Sequence, residues 1–491
     1  MNLAAAQDRH AAERGEHVAL VDGPRRITHA QLAADIARTA AHLRSLGVAA
    51  GTLTGVALGD RALHVVVMLA LARLGAVLLP LDHRWTAGEK ERVVAHFGAT
   101  LAIVEAGDPI KDVRNVAADA AFARACDMAP PQTEVAAGGD APLLVSLSSG
   151  TTGRPKGPRI THDHFLARFR THWINLGFSA DDVFVCATPL YFGAGRTFVW
   201  STLYVGGTVV LAPPPYDPRT LADTLARERA STLFLVPTQL RRALAEVPDH
   251  PAFTNLRLLF SSGAPLTRDE RLAIRDHLNP RFCEYYASTE GGGVTLLTPK
   301  DLPDHADSVG RAVHGVEVEV VDGEHRPLPA GDVGRLRYRS PGCATAFHRD
   351  PDASAEAFRD GWFYPGDLGR IDSAGYLTLA GRAKDMIIRG GVNIYPEEIE
   401  AVLRGHPEVI DVAVVGFEAP DLGEDIAAFV VLRSALTDDD LTHWCATRLA
   451  RYKVPRRWRR IAELPRNTSG KTIKAALANK LKNGDGSEKG K

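Results

Sequence analysis

Cysteine is scarce in this sequence, and its charges nearly cancel. No two of the five cysteines form a C-x-x-C pair; they are Cys126, Cys186, Cys283, Cys343 and Cys445. This pattern indicates neither a zinc site nor a disulfide framework, and scattered thiols are typical of a reducing compartment. The formal net charge of the 491 residues is −1. Such a balance predicts no nucleic-acid partner.

A long uninterrupted hydrophobic run is also missing. The longest apolar stretch, Ala62–Leu81, contains His64, Arg73, Gly75 and Pro80. It therefore predicts a core helix that leads into a strand, and not a membrane span. The first twenty residues carry charges throughout and lack the apolar segment of a signal peptide. We expect a cytoplasmic protein without a membrane span.

Short apolar runs alternate with helical patterns over the first 300 residues, beginning with an amphipathic helix from Ile27 to Gly47 that Thr28 opens. This alternation predicts a parallel or mixed sheet with helices on its faces. Four central strand candidates each run into a loop of small residues: Leu143–Leu147, Val183–Ala187, Leu233–Val236 and Leu256–Phe260. Because ligands of open α/β sheets bind beyond the carboxyl ends of the strands, we expect these loops to line one cleft.

The pattern changes twice in the second half of the chain. From about Pro299, alternating strands and turns predict a β-rich subdomain. After Gly381, a helix opened by Pro396, two apolar strands and a charged helix from Thr437 predict a compact α+β unit. We thus expect an α/β protein with a large N-terminal domain over residues 1–382, a small mobile α+β domain over 383–482 and a disordered tail over 483–491.

The strongest local motif follows the first of the four strand candidates. Residues 148–157 read SSGTTGRPKG. Glycines let backbone amides approach a ligand, hydroxyls donate to oxyanions, and Arg154 and Lys156 add positive charge. These features predict a polyphosphate-binding loop, although the string does not match the P-loop pattern G-x-x-x-x-G-K-[ST].

This loop and five further motifs resemble those of the adenylate-forming superfamily, which includes acyl-CoA synthetases, amino-acid adenylation domains and beetle luciferases. The similar segments, in chain order, are SGAPL at 262–266, YASTE at 286–290, GWFYPGD at 361–367, GRAKD at 381–385 and PRNTSGK at 465–471. The resemblance runs from about residue 15 to 480. It implies an ATP-dependent acid–thiol ligase that uses ATP, Mg²⁺ and coenzyme A and takes a small-molecule carboxylic acid as its substrate.

The chemistry of acid activation fits the residues of these motifs. A carboxylate attacks the α-phosphorus of ATP, so the site must neutralise charge on phosphoryl oxygens. Glu290 is suited to hold Mg²⁺, Thr151 and Thr289 to bind phosphate oxygens, and Asp367 and Arg382 to bind ribose. The expected nucleotide and CoA contacts are Ser148, Ser149, Gly150, Thr151, Thr152, Gly153, Lys156, Gly263, Ala264, Pro265, Tyr286, Ala287, Ser288, Thr289, Asp367, Arg382, Gly390, Gly391 and Tyr452.

Two lysines are expected to serve different half-reactions. Lys471 lies in the Gly-Lys turn of the last motif, where a long cation can reach the reacting carboxylate and α-phosphate. The resemblance implies that the small domain then rotates about a hinge at Lys384, and that Gly390 and Gly391 let pantetheine pass close to the backbone. Tyr452 falls where the resemblance suggests stacking near the CoA nucleotide, and a partly buried packing role is the alternative.

Two departures from the family pattern bear on the acid. Ala287 replaces a glycine in the Y-G-x-T-E motif, which predicts a shallower or differently shaped pocket. Phe192, followed by Gly193, stands where many aryl and malonyl ligases carry histidine, and is expected to be an aromatic gate. Arg196 could pair with a second substrate carboxylate or be a structural arginine. The default expectation is an uncharged small to medium aliphatic or aromatic acid.

Other classes of function remain to be weighed. An amino-acid adenylation domain would place an aspartate near Phe192, and this sequence has none there. Only twenty residues follow Lys471, which leaves no room for a fused carrier domain. A separate carrier protein stays open as the acceptor, and the sequence also leaves a homodimer open. A non-catalytic sensor is disfavoured because Glu290, Asp367 and Arg382 are all retained.

Overall fold

A computed structural model describes the chain over residues 1–147, 155–389, 392–419, 422–466 and 472–484. Contacts divide the chain into two compact units. Unit 1 comprises Met1–Val318 and Tyr338–Phe363, and unit 2 comprises Glu319–Arg337 and Tyr364–Lys491. The domain boundary that the sequence suggests after Arg382 stays a prediction.

The helices of unit 1 lie between and after its strands. They are α1 (Ala5–Arg14), α2 (His29–Ser45), α3 (Ala62–Leu74), α4 (Ala87–Phe97), α5 (Ala120–Met128), α6 (His162–Leu176), α7 (Gly193–Val205), α8 (Pro218–Arg227), α9 (Pro237–Glu246), α10 (Pro251–Thr254), α11 (Arg268–His277) and α12 (Pro351–Ala357), with a short 3₁₀ turn at Pro299–Asp301.

Two sheets form the framework of unit 1. Their strands are β1 (Val18–Asp22), β2 (Arg25–Thr28), β3 (Leu53–Ala57), β4 (Val77–Pro80), β5 (Leu101–Val104), β6 (Arg114–Ala117), β7 (Pro142–Val145), β8 (Arg159–Thr161), β9 (Val183–Cys186), β10 (Thr208–Leu211), β11 (Thr232–Phe234), β12 (Leu258–Ser261), β13 (Phe282–Ser288), β14 (Gly292–Leu297) and β15 (Arg311–Ala312). One sheet has the order β15-β14-β13-β12-β11-β9-β10-β1-β2 and the other β6-β5-β3-β4-β7-β8.

Most neighbouring strands of these two sheets are parallel. In the first sheet, the run from β13 through β12, β11, β9 and β10 to β1 is parallel, and the outer pairs β1–β2, β13–β14 and β14–β15 are antiparallel. In the second sheet, β7 and β8 are antiparallel and the other described pairs are parallel. This confirms the predicted mixed α/β class. The strand before residue 148, β7, lies in the second sheet, and its apolar pattern does not specify which partner it joins.

Local sequence explains why individual helices begin and end where they do. Thr28 accepts a hydrogen bond from the Gln31 amide, and the Gln31 side chain accepts one from the Thr28 amide, so a capping box opens α2 as predicted. Helix α3 is buried along nearly its whole length and ends at Gly75, whose φ of 69° suits glycine. In the described part of the chain, no helix is long and apolar enough to cross a membrane.

The remaining strands begin in unit 1 and continue into unit 2. They are β16 (Glu317–Val321), β17 (Gly334–Arg339), β18 (Phe358–Arg359), β19 (Trp362–Phe363), β20 (Asp367–Ile371), β21 (Leu377–Arg382), β22 (Ile387–Arg389), β23 (Val392–Ile394), β24 (Val409–Ala419), β25 (Gly423–Leu432) and β26 (Arg457–Arg460). The first six form the β-rich region that the sequence predicts from about residue 299.

Unit 2 contains a small α+β layer structure at its C-terminal end. Its helices are α13 (Pro396–Arg404), α14 (Asp438–Ala446) and α15 (Lys474–Gly484), with 3₁₀ turns at Ala383–Asp385 and Arg451–Lys453. Strand β25 lies between β24 and β22 and also pairs with β26. Helices α13 and α14 contribute Ile399, Leu403 and Leu441 to one apolar cluster, whereas Leu477 and Leu481 of α15 belong to a second cluster.

Candidate functional site

The YASTE motif in unit 1 lies at the end of a strand and the following turn. Residues Tyr286, Ala287 and Ser288 close β13, and its register with β14 shifts between Tyr286 and Ala287. The Ser288 hydroxyl lies 2.5 Å from the Tyr338 hydroxyl and accepts a hydrogen bond from the Gly291 amide at 2.8 Å. A side chain at Gly291 would overlap the Tyr338 ring, so this turn requires glycine. The turn is therefore held in one conformation.

Glu290 is held in this turn through its backbone carbonyl. The carbonyl accepts hydrogen bonds from the Ala344 amide at 2.8 Å and from Arg168 Nη2 at 2.6 Å. The Glu290 side chain is half-buried, and in the described part of the chain its carboxylate makes no ion pair. A fixed backbone with an available carboxylate suits a residue that would hold a hard cation such as Mg²⁺.

Arg168 was not predicted from the sequence. Its guanidinium is buried on α6 and donates to the Gly342 carbonyl at 2.8 Å as well as to Glu290. Burial lowers the pKa of Arg168. No local signal could have found it, because the contacts join segments more than 120 residues apart.

Arg196, in contrast, was singled out from the sequence, and it is one of the most deeply buried large side chains of unit 1. Nη1 donates to the carbonyls of Leu190 and Tyr191 at 3.2 and 3.0 Å, and Nη2 donates to Ser146 Oγ at 3.2 Å. Burial, with a smaller contribution from Arg168, lowers the pKa of Arg196 to about 9. Arg196 thus links the loop after β9 to residue 146, two positions before the motif at 148–157. Its Nε has no hydrogen-bond partner among the described residues.

Phe192 and Gly193, where the sequence predicts an aromatic gate for the acid, lie at the start of α7. Phe192 is the N-cap of α7, and its half-buried ring lies 4.4 Å from the Tyr191 ring. The Tyr191 hydroxyl accepts a hydrogen bond from Arg84 at 2.8 Å. Phe192 is therefore attached to a loop that Arg84 and Arg196 both hold, and its role as a gate stays a prediction.

The remaining predicted residues of unit 1 differ in exposure. Gly263, Ala264 and Pro265 form an exposed loop after β12, where Gly263 has a φ of 101°. The ammonium group of Lys156 lies 5.2 Å from the centre of the Phe347 ring. Thr289 is half-buried in the turn after β13. The predicted residues Ser148, Ser149, Gly150, Thr151, Thr152 and Gly153 lie outside the described residues.

In unit 2, the structure brings Asp367 and Arg382 together. They face each other in the register of β20 and β21, and Arg382 Nε lies 2.9 Å from Asp367 Oδ1. The Asp367 side chain is 13 % exposed and that of Arg382 38 %. One carboxylate oxygen is thus paired with the guanidinium, and a carboxylate can accept further hydrogen bonds from two vicinal hydroxyls.

Lys384 and Tyr452 occupy separate places in unit 2. Lys384 lies in the 3₁₀ turn after β21, 3.9 Å from the Asp385 carboxylate, and burial lowers the pKa of its ammonium group. The Tyr452 side chain is 46 % exposed, and its backbone carbonyl accepts a hydrogen bond from Arg389 at 2.6 Å. Such exposure favours a surface available for stacking over a packing role. Gly390, Gly391 and Lys471 lie outside the described residues.

Comparison with known proteins identifies the family. Residues 7–348 match the model of the AMP-binding enzyme family, and residues 398–471 match that of the AMP-binding enzyme C-terminal domain. A feruloyl-CoA synthase from Amycolatopsis sp is 32% identical over 465 residues, covering 92% of this chain and 93% of that protein. A fatty acid–[acyl-carrier-protein] ligase from Streptomyces coeruleorubidus is also 32% identical, covering 96% and 95%.

A solved structure agrees with these sequence matches. The o-succinylbenzoate CoA synthetase from Bacillus subtilis, in complex with its acyl-adenylate intermediate, aligns with a TM-score of 0.90 at 26% identity, covering 97% of both chains. The mixed α/β fold and the ordered motifs define an adenylate-forming ligase. The chain belongs to the AMP-binding enzyme family, as the resemblance of its motifs implies.

Proposed function

We propose that this protein is an acyl-CoA ligase that converts a carboxylic acid and ATP into an acyl-adenylate and pyrophosphate, and then transfers the acyl group to coenzyme A. The observation that carries the proposal is the similarity to a feruloyl-CoA synthase over 92% of the chain. The absence of a membrane-spanning helix among the described residues agrees with the cytoplasmic location that we propose for this reaction.

Binding of Mg²⁺ and the phosphates falls to unit 1 in this proposal. The available carboxylate of Glu290 fits the oxygen-ligand preference of Mg²⁺, which supplies charge neutralisation on the phosphates when bound. Arg168 and Ala344 fix the Glu290 backbone, so the carboxylate needs little reorganisation when it binds. Thr151 and Thr289 donate to phosphate oxygens, and Tyr286 offers an aromatic face to adenine.

In this proposal, residues of unit 2 bind the ribose and contact the attacking carboxylate. Asp367 accepts hydrogen bonds from the ribose hydroxyls, and Arg382 keeps that carboxylate oriented through their 2.9 Å ion pair. Lys471 neutralises charge between the acid and the α-phosphate during adenylation. These roles come from the sequence motifs and agree with the pairing of Asp367 with Arg382.

The thiol transfer requires a second arrangement of the small domain. We propose that the domain rotates about Lys384 after adenylation, which removes Lys471 and brings Gly390 and Gly391 beside pantetheine. The exposed ring of Tyr452 then stacks near the CoA nucleotide. Replacing Gly391 with tryptophan is expected to block thioester formation but not adenylation, and an unimpaired thioester yield would contradict the role of this glycine.

The acid is proposed to be an uncharged small to medium aromatic or aliphatic acid. Phe192 supplies an apolar aromatic edge at the start of α7, and the methyl group of Ala287 narrows the site beside it in our proposal. Arg196 already donates to three acceptors within the protein, which favours a structural role over recognition of a second carboxylate.

A separate carrier protein is the second candidate acceptor. The similarity to a fatty acid–[acyl-carrier-protein] ligase over 96% of the chain favours it. Both candidates share the first half-reaction, so only the acceptor distinguishes them. With the best acid in hand, the assay compares AMP release with coenzyme A alone, with a phosphopantetheinylated carrier protein alone, and with neither.

The first experiment is acid-dependent pyrophosphate exchange across a panel of aromatic, aliphatic and dicarboxylic acids. We expect exchange with at least one uncharged acid and faster AMP release when coenzyme A is added. Absence of exchange with every acid would contradict the proposed function. Light scattering on the same sample reports whether the active species is a homodimer.

Lys471→Ala tests the division between half-reactions. We expect it to abolish pyrophosphate exchange, a loss of about 1,000-fold, and to spare thiolysis of supplied acyl-adenylate. Lys480→Ala, an exposed lysine on α15, is the matched control and should retain both activities. Equal loss of both steps in Lys471→Ala would contradict the two-state mechanism.

A further inference from the structure

In unit 2, the residues on either side of the segment that carries Lys471 lie next to each other. Arg466 and Thr472 form an antiparallel bridge, and the Ile473 amide donates to the Pro465 carbonyl at 2.8 Å. The two flanks of residues 467–471 are therefore joined to each other. Whatever fixes these flanks in unit 2 also fixes where the catalytic segment starts and finishes.

A buried group of charges holds the second flank. Lys474, three residues after Lys471, lies 2.8 Å from Glu400 Oε1 and 3.6 Å from Glu397 Oε1. The side chains are 16 % exposed for Lys474, 6 % for Glu400 and 30 % for Glu397. Both carboxylates lie on α13, one helical turn apart. We call these three residues the α13 anchor.

Glu400 is itself held by two other groups. Its Oε1 accepts a hydrogen bond from the Val414 amide of β24 at 2.8 Å, and its Oε2 accepts one from Arg404 at 3.1 Å. Lys474 thus meets a carboxylate whose orientation is already fixed by the helix and by the adjacent strand. Because the carboxylate is already oriented, the ion pair fixes the position of the Lys474 ammonium group as well as attracting it.

In the α13 anchor, Lys474 and Glu400 support each other's charge at neutral pH, whereas burial, together with the like charge of Glu400, raises the pKa of Glu397. Burial acts to raise the pKa of Glu400, but Lys474 and Arg404 together keep it below its ordinary value. Burial acts to lower the pKa of Lys474, but Glu400 and Glu397 keep it above its ordinary value. Removing Lys474 alone would leave two carboxylates close together in a buried place, which is costly.

The same anchor also touches the predicted hinge. Gly381 has a φ of 124°, and a Cβ built there would overlap the Glu397 carboxylate. Glu397 therefore lies between the hinge segment and Lys474, and the positive φ of Gly381 favours glycine there. The described contacts connect Gly381 to Glu397, Glu397 to Lys474, and Lys474 along the chain to Lys471.

We propose that Lys474 is a positioning residue for adenylation: its ion pair with Glu400 fixes the flank of the segment that carries Lys471 and ties it to the hinge. The proposal rests on the proposed function. The other flank is held by Arg466 and Asp411 at 2.5 Å, but their side chains are 39 % and 25 % exposed. An exposed pair is screened by water and contributes less to position.

Kinetics of the two half-reactions test the proposal. Lys474→Met removes the charge but keeps most of the volume, and we expect adenylation kcat to fall about 100-fold, the effect of a small displacement of a catalytic group. The KM values for ATP and acid, and thiolysis of supplied acyl-adenylate, should change by less than about twofold because Lys474 touches no substrate. Lys474→Arg should restore most of the lost kcat, since it keeps the cation.

A matched control separates the anchor from surface charge in general. Asp438→Asn breaks an exposed pair with Arg460 in the same unit, where the side chains are 55 % and 44 % exposed and 2.7 Å apart. We expect this variant to retain both half-reactions. Equal slowing of adenylation and thiolysis in Lys474→Met would overturn the positioning role, and so would an unchanged adenylation rate.

A readout independent of activity distinguishes failure of this proposal from failure of the proposed function. Hydrogen–deuterium exchange in the peptide covering residues 465–474 should be faster in Lys474→Met than in wild type and unchanged in Asp438→Asn. Unchanged exchange in Lys474→Met would overturn the proposal even if no acid supports catalysis. If Lys474→Met does not fold, the double variant Glu400→Gln with Lys474→Met removes the more deeply buried of the two carboxylates and so the repulsion between them, and the same two measurements apply to it.

Discussion

Both units of this enzyme contain buried ion pairs, such as that of Arg271 with Glu284 in unit 1, but two buried arginines of unit 1 are held in another way. In unit 1, Arg168 and Arg196 are surrounded by backbone carbonyls and a hydroxyl, and neither makes an ion pair among the described residues. In unit 2, Lys474 is held by Glu400 and Arg382 by Asp367. Carbonyl dipoles stabilise a cation without cancelling its charge, whereas a carboxylate cancels it.

This difference changes the groups around each cation. Burial lowers the pKa of both His172 and His64 to about 3, and Arg168 and Arg196 respectively add to the effect. Arg168 and Arg196 therefore keep charges that no carboxylate cancels, and His172 and His64 stay neutral at pH 7. In unit 2, the paired carboxylates instead keep Lys474 charged and neutralised, which suits an anchor and not an anion-binding group.

Acidification should reveal the difference most strongly. His64 and His172 have folded pKa values below the unfolded value of 6.5, so the unfolded chain binds more protons below pH 6.5. The stability they contribute is complete above pH 6.5 and declines as the pH falls towards 3. Between pH 6.5 and pH 5, each of these two histidines should lower the free energy of unfolding of unit 1 by about 2 kcal/mol. Urea unfolding at both pH values measures it.

The variant His172→Gln provides the control for that titration. It should flatten the dependence of the free energy of unfolding on pH in this range, because glutamine does not bind protons. Hydrogen–deuterium exchange assigns the loss to a unit. If peptides around the α13 anchor lose protection before those of α6 and α7, the contrast between the two buried arginines of unit 1 and the α13 anchor is wrong.

Arg168→Met should have the next largest effect. It leaves the Glu290 and Gly342 carbonyls without their buried donor, which should cost about 3 kcal/mol of stability. Because Glu290 then loses its fixed backbone, we expect pyrophosphate exchange to fall about 100-fold. Arg170→Met, at an exposed position of the same helix, should change neither quantity. Matching losses in the two variants would refute the link to Glu290.

Arg196→Met should have a smaller effect, and it should lower stability more than activity. We expect a loss of about 2 kcal/mol in the free energy of unfolding, measured with urea, because the carbonyls of Leu190 and Tyr191 lose their buried donor. With an uncharged acid, KM should change little. A KM for dicarboxylic acids that rises at least tenfold, with no change for uncharged acids, would instead make Arg196 a substrate-binding cation. Arg219→Met, at an exposed position, is the control.

Tyr338→Phe should have the smallest effect. It removes the partner of the Ser288 hydroxyl in a fully buried place, and we expect a loss of about 1 kcal/mol in stability. Tyr364→Phe in unit 2 removes a half-exposed hydroxyl that accepts from Arg337 at 3.0 Å, and should cost less because water can replace it. A larger loss of stability in Tyr364→Phe than in Tyr338→Phe would contradict this expected order.

Local signals in the sequence were sufficient for much of the fold. The helix opened by Thr28, the core helix α3 that leads into β4 and the helix opened by Pro396 depend on neighbours within a few residues, and all three predictions are confirmed. The sheet that β7 joins could not be predicted, because pairing between strands is decided by contacts distant in sequence.

The candidate site divides in the same way. Motifs identify Glu290, Asp367 and Arg382 because each lies in a short distinctive string, although their roles remain predictions. Arg168 and Lys474 lie in no such string. Their importance depends on a buried environment that the distant segments of the fold create, and a sequence pattern does not report burial of a single cation.

The hydrogen bond from the Val414 amide to Glu400 has a consequence for association between copies of the chain. Among the described residues, β24 pairs on one side only, with β25, so the other side is an open sheet edge. Open edges attract strands from neighbouring molecules and promote aggregation. Glu400 occupies one of the edge amides and brings a charged group and helix α13 against it. The carboxylate that holds Lys474 thereby also covers part of this open edge.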